Sequence, residues 1–269
     1  MSAVLMSLLG LLSLLVIAAP ARSADPLPFS EAVRAGDTLY LSGQIGAAPG
    51  TMRPVAGGLP AEARQAMDNI GATLRRNGLG YGDVVRCLVL LTDMGRWGEF
   101  NSVYRTYFAP DRLPARSAAG VVALALGAQV EVECTARYPS SPRAVSVGGA
   151  LGPYSQAIVS DGLVYVSGVI PFDSATNRFA AVNMAAQMAQ AFANLDAVLK
   201  AAGVRRSNVV RATLYLRSAA DKPAADAAWA AYFGSARPPA RSTVPGVDWG
   251  RDDLRVEIDA VASLSQGER

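Results

Sequence analysis

One short string is written twice in this chain, as Pro114-Ala115-Arg116-Ser117 and as Pro239-Ala240-Arg241-Ser242. The two arginines lie 125 residues apart (241 − 116), and sliding the sequence by that interval matches its halves without a gap from Pro28 to Ser117. A repeat of this length is a whole folding unit, so the chain divides into two domains of about 110 residues each. In both copies proline and alanine lead out of an aromatic-rich helical segment, and an arginine opens an apolar run. A guanidinium at the start of a buried strand must find an anion, which makes Arg116 and Arg241 the first candidates for gripping a ligand.

The chain contains no histidine. That removes Ser-His-Asp and Cys-His nucleophile pairs, histidine-ligated zinc and imidazole acid–base chemistry together. Cys87 and Cys134 form no C-x-x-C, so a thiolate metal site is not expected either, and no metal is predicted. Carboxylates, hydroxyls, tyrosine, arginine, backbone groups and water remain to do any chemistry. The net charge is +3, and Lys and Arg are scattered through both halves without a basic block, so nucleic acid is not an expected partner. Charged residues make up only 17% of the sequence, which favours association between copies.

Residues 1–21 read as a secretory signal peptide. An apolar run from Leu8 to Ala19, broken only by Gly10 and Ser13, precedes the small-x-small pattern Ala19-Pro20-Ala21. The run is short for a membrane span, so none is expected in the mature form. No basic residue precedes it, which keeps an uncleaved anchor or a misplaced start codon as the other reading. Export implies a secreted or periplasmic protein beginning near Arg22.

The first domain, residues 27–138, opens with two strands joined by Gly36-Asp37. Ala63, Ala66, Met67, Ile70 and Leu74 then recur at helical spacing until Asn77-Gly78. Residues 83–92 read as an inner strand because they are short and β-branched. Trp97, Phe100, Tyr104 and Phe108 mark a second helix, and residues 116–122 and 129–138 close the copy as strands. Residues 139–149 are rich in Pro, Ser and Gly and read as the linker. The second domain, residues 150–264, repeats the order ββαβαββ, with its long helix ending at Gly203. Two helices cover one face of each sheet, and the other face must be buried against another copy.

Gly152-Pro153-Tyr154-Ser155-Gln156-Ala157, Ser42-Gly43-Gln44-Ile45, Asn101-Ser102-Val103-Tyr104, Pro114-Ala115-Arg116-Ser117 and Val130-Glu131-Val132-Glu133 occur at the right separations. Together they resemble the Rid/YjgF family of reactive-intermediate (enamine/imine) deaminases, over both copies from about Phe29 to Ser263. The resemblance implies an α+β fold of two tandem chorismate-mutase-like domains, each a sheet with two helices on one face. It also implies a homo-oligomer with trimer-like ring packing and ligand clefts between neighbouring units.

The resemblance further implies roles for particular residues. The carboxylate-binding arginine falls on Arg116 and Arg241, and the acid that aims the hydrolytic water on Glu131 and, after a one-residue insertion, Glu257. The motif tyrosine is Tyr154 but Phe29 in the first copy, and the serine is Ser42 and Ser167. The glutamine is Gln44 but Val169 in the second copy, and the asparagine is Asn101 but Asp226 there. Two residues after the arginine, where the family often has cysteine, stand Ala118 and Thr243. The losses are complementary, so the expected cleft combines unlike copies, with Tyr154 of a second copy completing the Arg116 site of a first.

Such a set suits hydrolysis of a 2-imino or enamine acid to a 2-keto acid and ammonia. The imine carbon is already electrophilic, so the task is to clamp a small carboxylate, aim a water and move protons, with no cofactor. On this reading Glu131, Asn101, Ser42, Tyr154 and Glu257 are catalytic, and Arg116, Arg241 and Ser167 bind substrate. A carboxylate-binding or chaperone-like oligomer without turnover is the alternative, and structural ion pairing is the alternative for the arginines. Cys87 and Cys134 are replaced together by alanine in the second copy, at Ala212 and Ala260. They read as small buried fillers, with a disulfide across 46 intervening residues (134 − 87 − 1) as the other possibility.

Overall fold

The structure is a computed structural model that describes residues 28–138 and 141–265, so the signal-peptide segment lies outside the described residues. The first copy contains β1 (Ala32–Ala35), β2 (Thr38–Leu41), β3 (Gln44–Ile45), α1 (Gly58–Arg76), β4 (Val84–Leu91), α2 (Trp97–Tyr104), β5 (Ala115–Gly120) and β6 (Val130–Arg137). The second contains β7 (Arg143–Val145), β8 (Ala157–Ser160), β9 (Leu163–Val169), β10 (Phe172–Asp173), β11 (Arg178–Phe179), α3 (Met184–Ala202), β12 (Val209–Leu216), α4 (Lys222–Phe233), β13 (Ala240–Pro245) and β14 (Val256–Ser263). Strand order is β1-β2-β6-β4-β5, with β3 on β6, in one sheet and β7-β8-β9-β14-β12-β13 in the other.

Local chemistry explains the element ends. α1 stops where Gly78 turns left-handed (φ 73°) and its N–H reaches the Arg75 carbonyl. α3 starts at Asn183, whose side chain accepts from the Ala186 N–H, and ends at left-handed Gly203. The apolar stripe of α1 (Ala63, Ala66, Met67, Ile70, Leu74) is fully buried, as its spacing predicts.

Two sequence expectations are corrected here. The expected linker contains β7, in which Val145 is buried and pairs with Ala157, so β7 extends the second sheet at its edge. Flanking prolines and serines obscured a strand of only three residues. The α-helix opening at Trp97 ends at Tyr104 and tightens into a 3-10 turn over Arg105–Tyr107, leaving Phe108 in extended backbone.

Cys87 and Cys134 are joined in a disulfide, not free fillers. They sit opposite one another in the β4–β6 register with Cα atoms 4.1 Å apart. Alkylation under denaturing conditions without reductant is expected to add no groups, and two added groups would refute the bond. Chain entropy puts the stability lost on reduction at about 4 kcal/mol at most.

The helix-free faces of the two sheets meet. Val85 and Ala115 pack on Ile158 and Tyr165. A second apolar cluster joins Ala119 to Tyr215, Val247, Trp249 and Leu254. Between them Asp259, fully buried, accepts from Arg86 (2.7 Å), Ser117 (3.2 Å) and Tyr215 (3.0 Å). The Gly120 N–H donates to the Asp248 carbonyl at 2.7 Å, an approach that a β-carbon at Gly120 would block. The junction is thus fixed by charge and hydrogen bonding as well as apolar burial.

Candidate functional site

Side chains alternate along a strand, and this decides which residues share a site. On β5, Arg116 turns toward α2, where its guanidinium carbon lies 4.4 Å from the Trp97 ring centre and 4.7 Å from that of Tyr104. Glu131, on β6, pairs with Leu90 and takes the opposite, helix-free face of the same sheet. The Arg116–Glu131 set of the first copy therefore does not converge on one site. The second copy repeats the geometry, with Glu257 on its helix-free face and Arg241 beside α4. A cleft with both groups needs one copy for the arginine and another for the acid.

Among the described residues such a cleft lies between β5 of the first copy and β9 and β14 of the second. Its volume is about 350 Å³, and Arg116, Tyr154 and Glu257 line it together with Trp97, Ile170, Phe179, Trp249 and Leu254. Tyr154 lies over the guanidinium, 5.5 Å from ring centre to guanidinium carbon. Gly152 passes so close to Arg116 Nη2 that a β-carbon there would sit 2.9 Å from it. Among the described residues neither Nη of Arg116 has a hydrogen-bond partner, although the side chain is buried. Burial pushes the guanidinium down to about 10, so it stays charged at neutral pH. A buried cation held by aromatic faces, with its donors unused, is prepared to receive a carboxylate.

Glu257 faces this cation from the second copy. Trp249 Nε1 donates to its Oε2 at 2.9 Å, and the Ala118 N–H of the first copy donates to the same carboxyl. Burial outweighs these donors, and the carboxyl is pushed up to about 8, with nearby Asp259 adding to the rise. Its position depends on Gly168, because a β-carbon there would overlap Oε1 of Glu257. Gly168→Ala is expected to displace the carboxyl and lower turnover about tenfold, with carboxylate binding kept within about threefold. Equal loss of binding and turnover would show that Gly168 acts on the whole cleft.

Ser167 binds neither of these groups. Its hydroxyl accepts from the Arg116 backbone N–H (2.8 Å) and donates to the Ser155 carbonyl (2.6 Å). The serine of the motif here pins the strand that carries the arginine. Ser42 donates to the Ser30 carbonyl (2.7 Å) and does not line the cleft. Glu131 packs on Gly43, its carboxyl raised by burial and by Glu133. Asn101 is buried on α2 with Oδ1 lacking a partner among the described residues, and it too is outside the cleft lining.

Arg241 has a different fate. Its Nη2 donates to Asp226, which Lys222 also reaches, and both hold Asp226 below the usual carboxylate range, Lys222 contributing most. The carboxylate that replaces Asn101 thus occupies the arginine of its own copy. Among the described residues β13 pairs with β12 alone and forms an edge of its sheet. The parts that sequence reading missed are Trp249, in a loop with no counterpart pattern, and the Arg86–Asp259 pair, separated by 173 residues.

A family model described as endoribonuclease L-PSP matches residues 19–138 and again 146–264. The 2-iminobutanoate/2-iminopropanoate deaminase of Mus musculus is 44% identical over 109 residues, 40% of this chain and 80% of that protein. The protein DfrA of Myxococcus xanthus is 43% identical over 113 residues, 40% of this chain and 84% of that protein. Among solved structures, RidA of an Antarctic Psychrobacter is 37% identical with a TM-score of 0.39, covering 44% of this chain and 93% of that one. The YjgF gene product of E. coli is 28% identical with a TM-score of 0.41, covering 46% of this chain and 99% of that one. With one match on each copy and most of the sequence accounted for, the chain belongs to the endoribonuclease L-PSP (YjgF/Rid) family as a tandem, two-domain member.

Proposed function

We propose that the cleft between the two copies hydrolyses 2-imino or enamine-derived acids to 2-keto acids and ammonia. The observation that carries this reading is the buried Arg116 guanidinium, its Nη donors unused, facing the Glu257 carboxyl across a largely apolar cavity. Arg116 takes the substrate carboxylate bidentately and sets the imine carbon toward Glu257. Glu257, as carboxylate, takes a proton from water as its oxygen adds to the carbon of the protonated imine, and the C=N electron pair moves to the nitrogen. Glu257 then gives that proton to the carbinolamine nitrogen, the C–N bond breaks, and the hydroxyl proton passes to the departing ammonia as the carbonyl forms. These steps draw on the residues present and need no cofactor.

Ammonia release from imines generated in situ by an amino-acid oxidase tests the proposal. A rate no faster than the uncatalysed reaction would refute it, and 2-keto acid binding without turnover would assign the cleft to ligand binding instead. RNA cleavage is the weaker reading of the family description. A cleft with two arginines in its lining, Arg251 already paired with Asp253, and largely apolar walls does not offer the series of phosphate contacts that RNA binding uses. The Cys87–Cys134 bond supports work in an oxidising compartment, in keeping with the proposed export. The open edge at β13, which carries Arg241, and the helix-free face that carries Glu131 support a further head-to-tail assembly of chains, to be tested by light scattering.

A further inference from the structure

Resting on that reading, we propose that the cleft selects 2-imino acids with a large apolar side chain, aromatic ones above all, over three- and four-carbon acids. The cavity of about 350 Å³ is of a size that takes ligands much larger than a three-carbon acid. Arg116, Tyr154 and Glu257 face one another in it, and Arg251 is the other charged residue of its lining. Met94, Ile170, Phe179, Leu254 and the indole of Trp249 supply apolar wall around them. Arg251, at the rim, is committed to Asp253 by two 2.7 Å hydrogen bonds and stacks on Phe179 at 3.8 Å. A polar substrate side chain would lose water and find little in exchange, whereas an apolar one gains the full burial.

The aromatic lining belongs to this junction and not to the repeat. Trp97 and Phe179 become Lys222 and Pro54 at the corresponding positions 125 residues away. The loop that carries Trp249 has no aromatic residue in the first copy, where it runs from Val121 to Gln129. A cleft formed the other way round, with Arg241 and Glu131, would therefore lack all three rings. The cleft that keeps its arginine free of an internal carboxylate is also the one that has gathered aromatic surface from both copies.

The test uses pyruvate and phenylpyruvate as stable stand-ins for imines of small and aromatic amino acids. Calorimetry is expected to show phenylpyruvate binding at least about tenfold more tightly. In Phe179→Ala this advantage is expected to shrink to about threefold or less with pyruvate affinity unchanged. Ile170→Trp, which fills the cavity rather than emptying it, is expected to weaken phenylpyruvate alone. Equal affinities in the unaltered protein, or both variants weakening the two acids alike, would overturn the proposal. Ammonia release from alanine- and phenylalanine-derived imines separates it from the hydrolysis reading. Preferential phenylpyruvate binding without turnover would refute hydrolysis and uphold the selectivity. Faster turnover of the alanine-derived imine would uphold hydrolysis and refute the selectivity.

Discussion

Replacing Arg116 with alanine is expected to weaken binding of a small 2-keto acid by roughly 100-fold, about 3 kcal/mol, while Arg241→Ala changes it by less than about twofold. The difference rests on what each guanidinium already holds. Both Nη atoms of Arg116 are buried without a hydrogen-bond partner among the described residues, so a ligand carboxylate satisfies donors left unused by the fold. The Nη2 of Arg241 already donates to Asp226, at an open sheet edge. A ligand there must displace an internal carboxylate that Lys222 also holds. Arg116→Lys is expected to restore little, because an ammonium lacks the planar fork that matches two carboxylate oxygens. Calorimetry on the three variants decides the matter, and equal losses for Arg116→Ala and Arg241→Ala would show that the internal pairing does not silence the second copy.

The fold was readable from the sequence because the repeat and the hydrophobic periods carry it. Ala63 through Leu74 and Met184 through Leu199 mark their helices, and Val84–Leu91 and Val209–Leu216 mark the inner strands. The site was readable only as a set of residue types. The resemblance assigns Asn101, Arg116 and Glu131 to the same copy, yet strand alternation turns Arg116 and Glu131 to opposite faces of one sheet. Tyr154 beside Arg116 was legible, through the complementary losses in the two copies. Ser167 could not be assigned from its motif, since a hydroxyl that holds strand backbone and one that holds substrate look alike in sequence. The Arg86–Asp259 pair is invisible for another reason. It joins two domains, and no local pattern records which charge will face which across 173 residues.

Glu257→Gln is expected to lower turnover by about 10²–10⁴-fold while raising stability at alkaline pH. As general base, Glu257 must be a carboxylate, and its carboxyl is pushed up to about 8 by burial. The rate per free enzyme should therefore climb with pH and level off above about 8, and the glutamine variant should lack that limb. The stability change has the opposite cause. In the unfolded chain this carboxyl titrates near 4.5, so between 4.5 and about 8 the folded protein keeps a proton that the unfolded chain has released. Stability consequently falls as pH rises through that window, by on the order of 1.4 kcal/mol per unit for this group, and the lower value persists above it. Glutamine does not titrate and removes the fall. Its amide still offers an acceptor to Trp249 Nε1, though the Ala118 N–H then meets a less suitable partner, which trims the gain. Urea unfolding of both proteins at pH 5 and pH 9 measures the effect. A stability difference between them that does not grow with pH would mean that Glu257 is ionised in the resting cleft, and the rising limb of the rate should then lie well below neutrality.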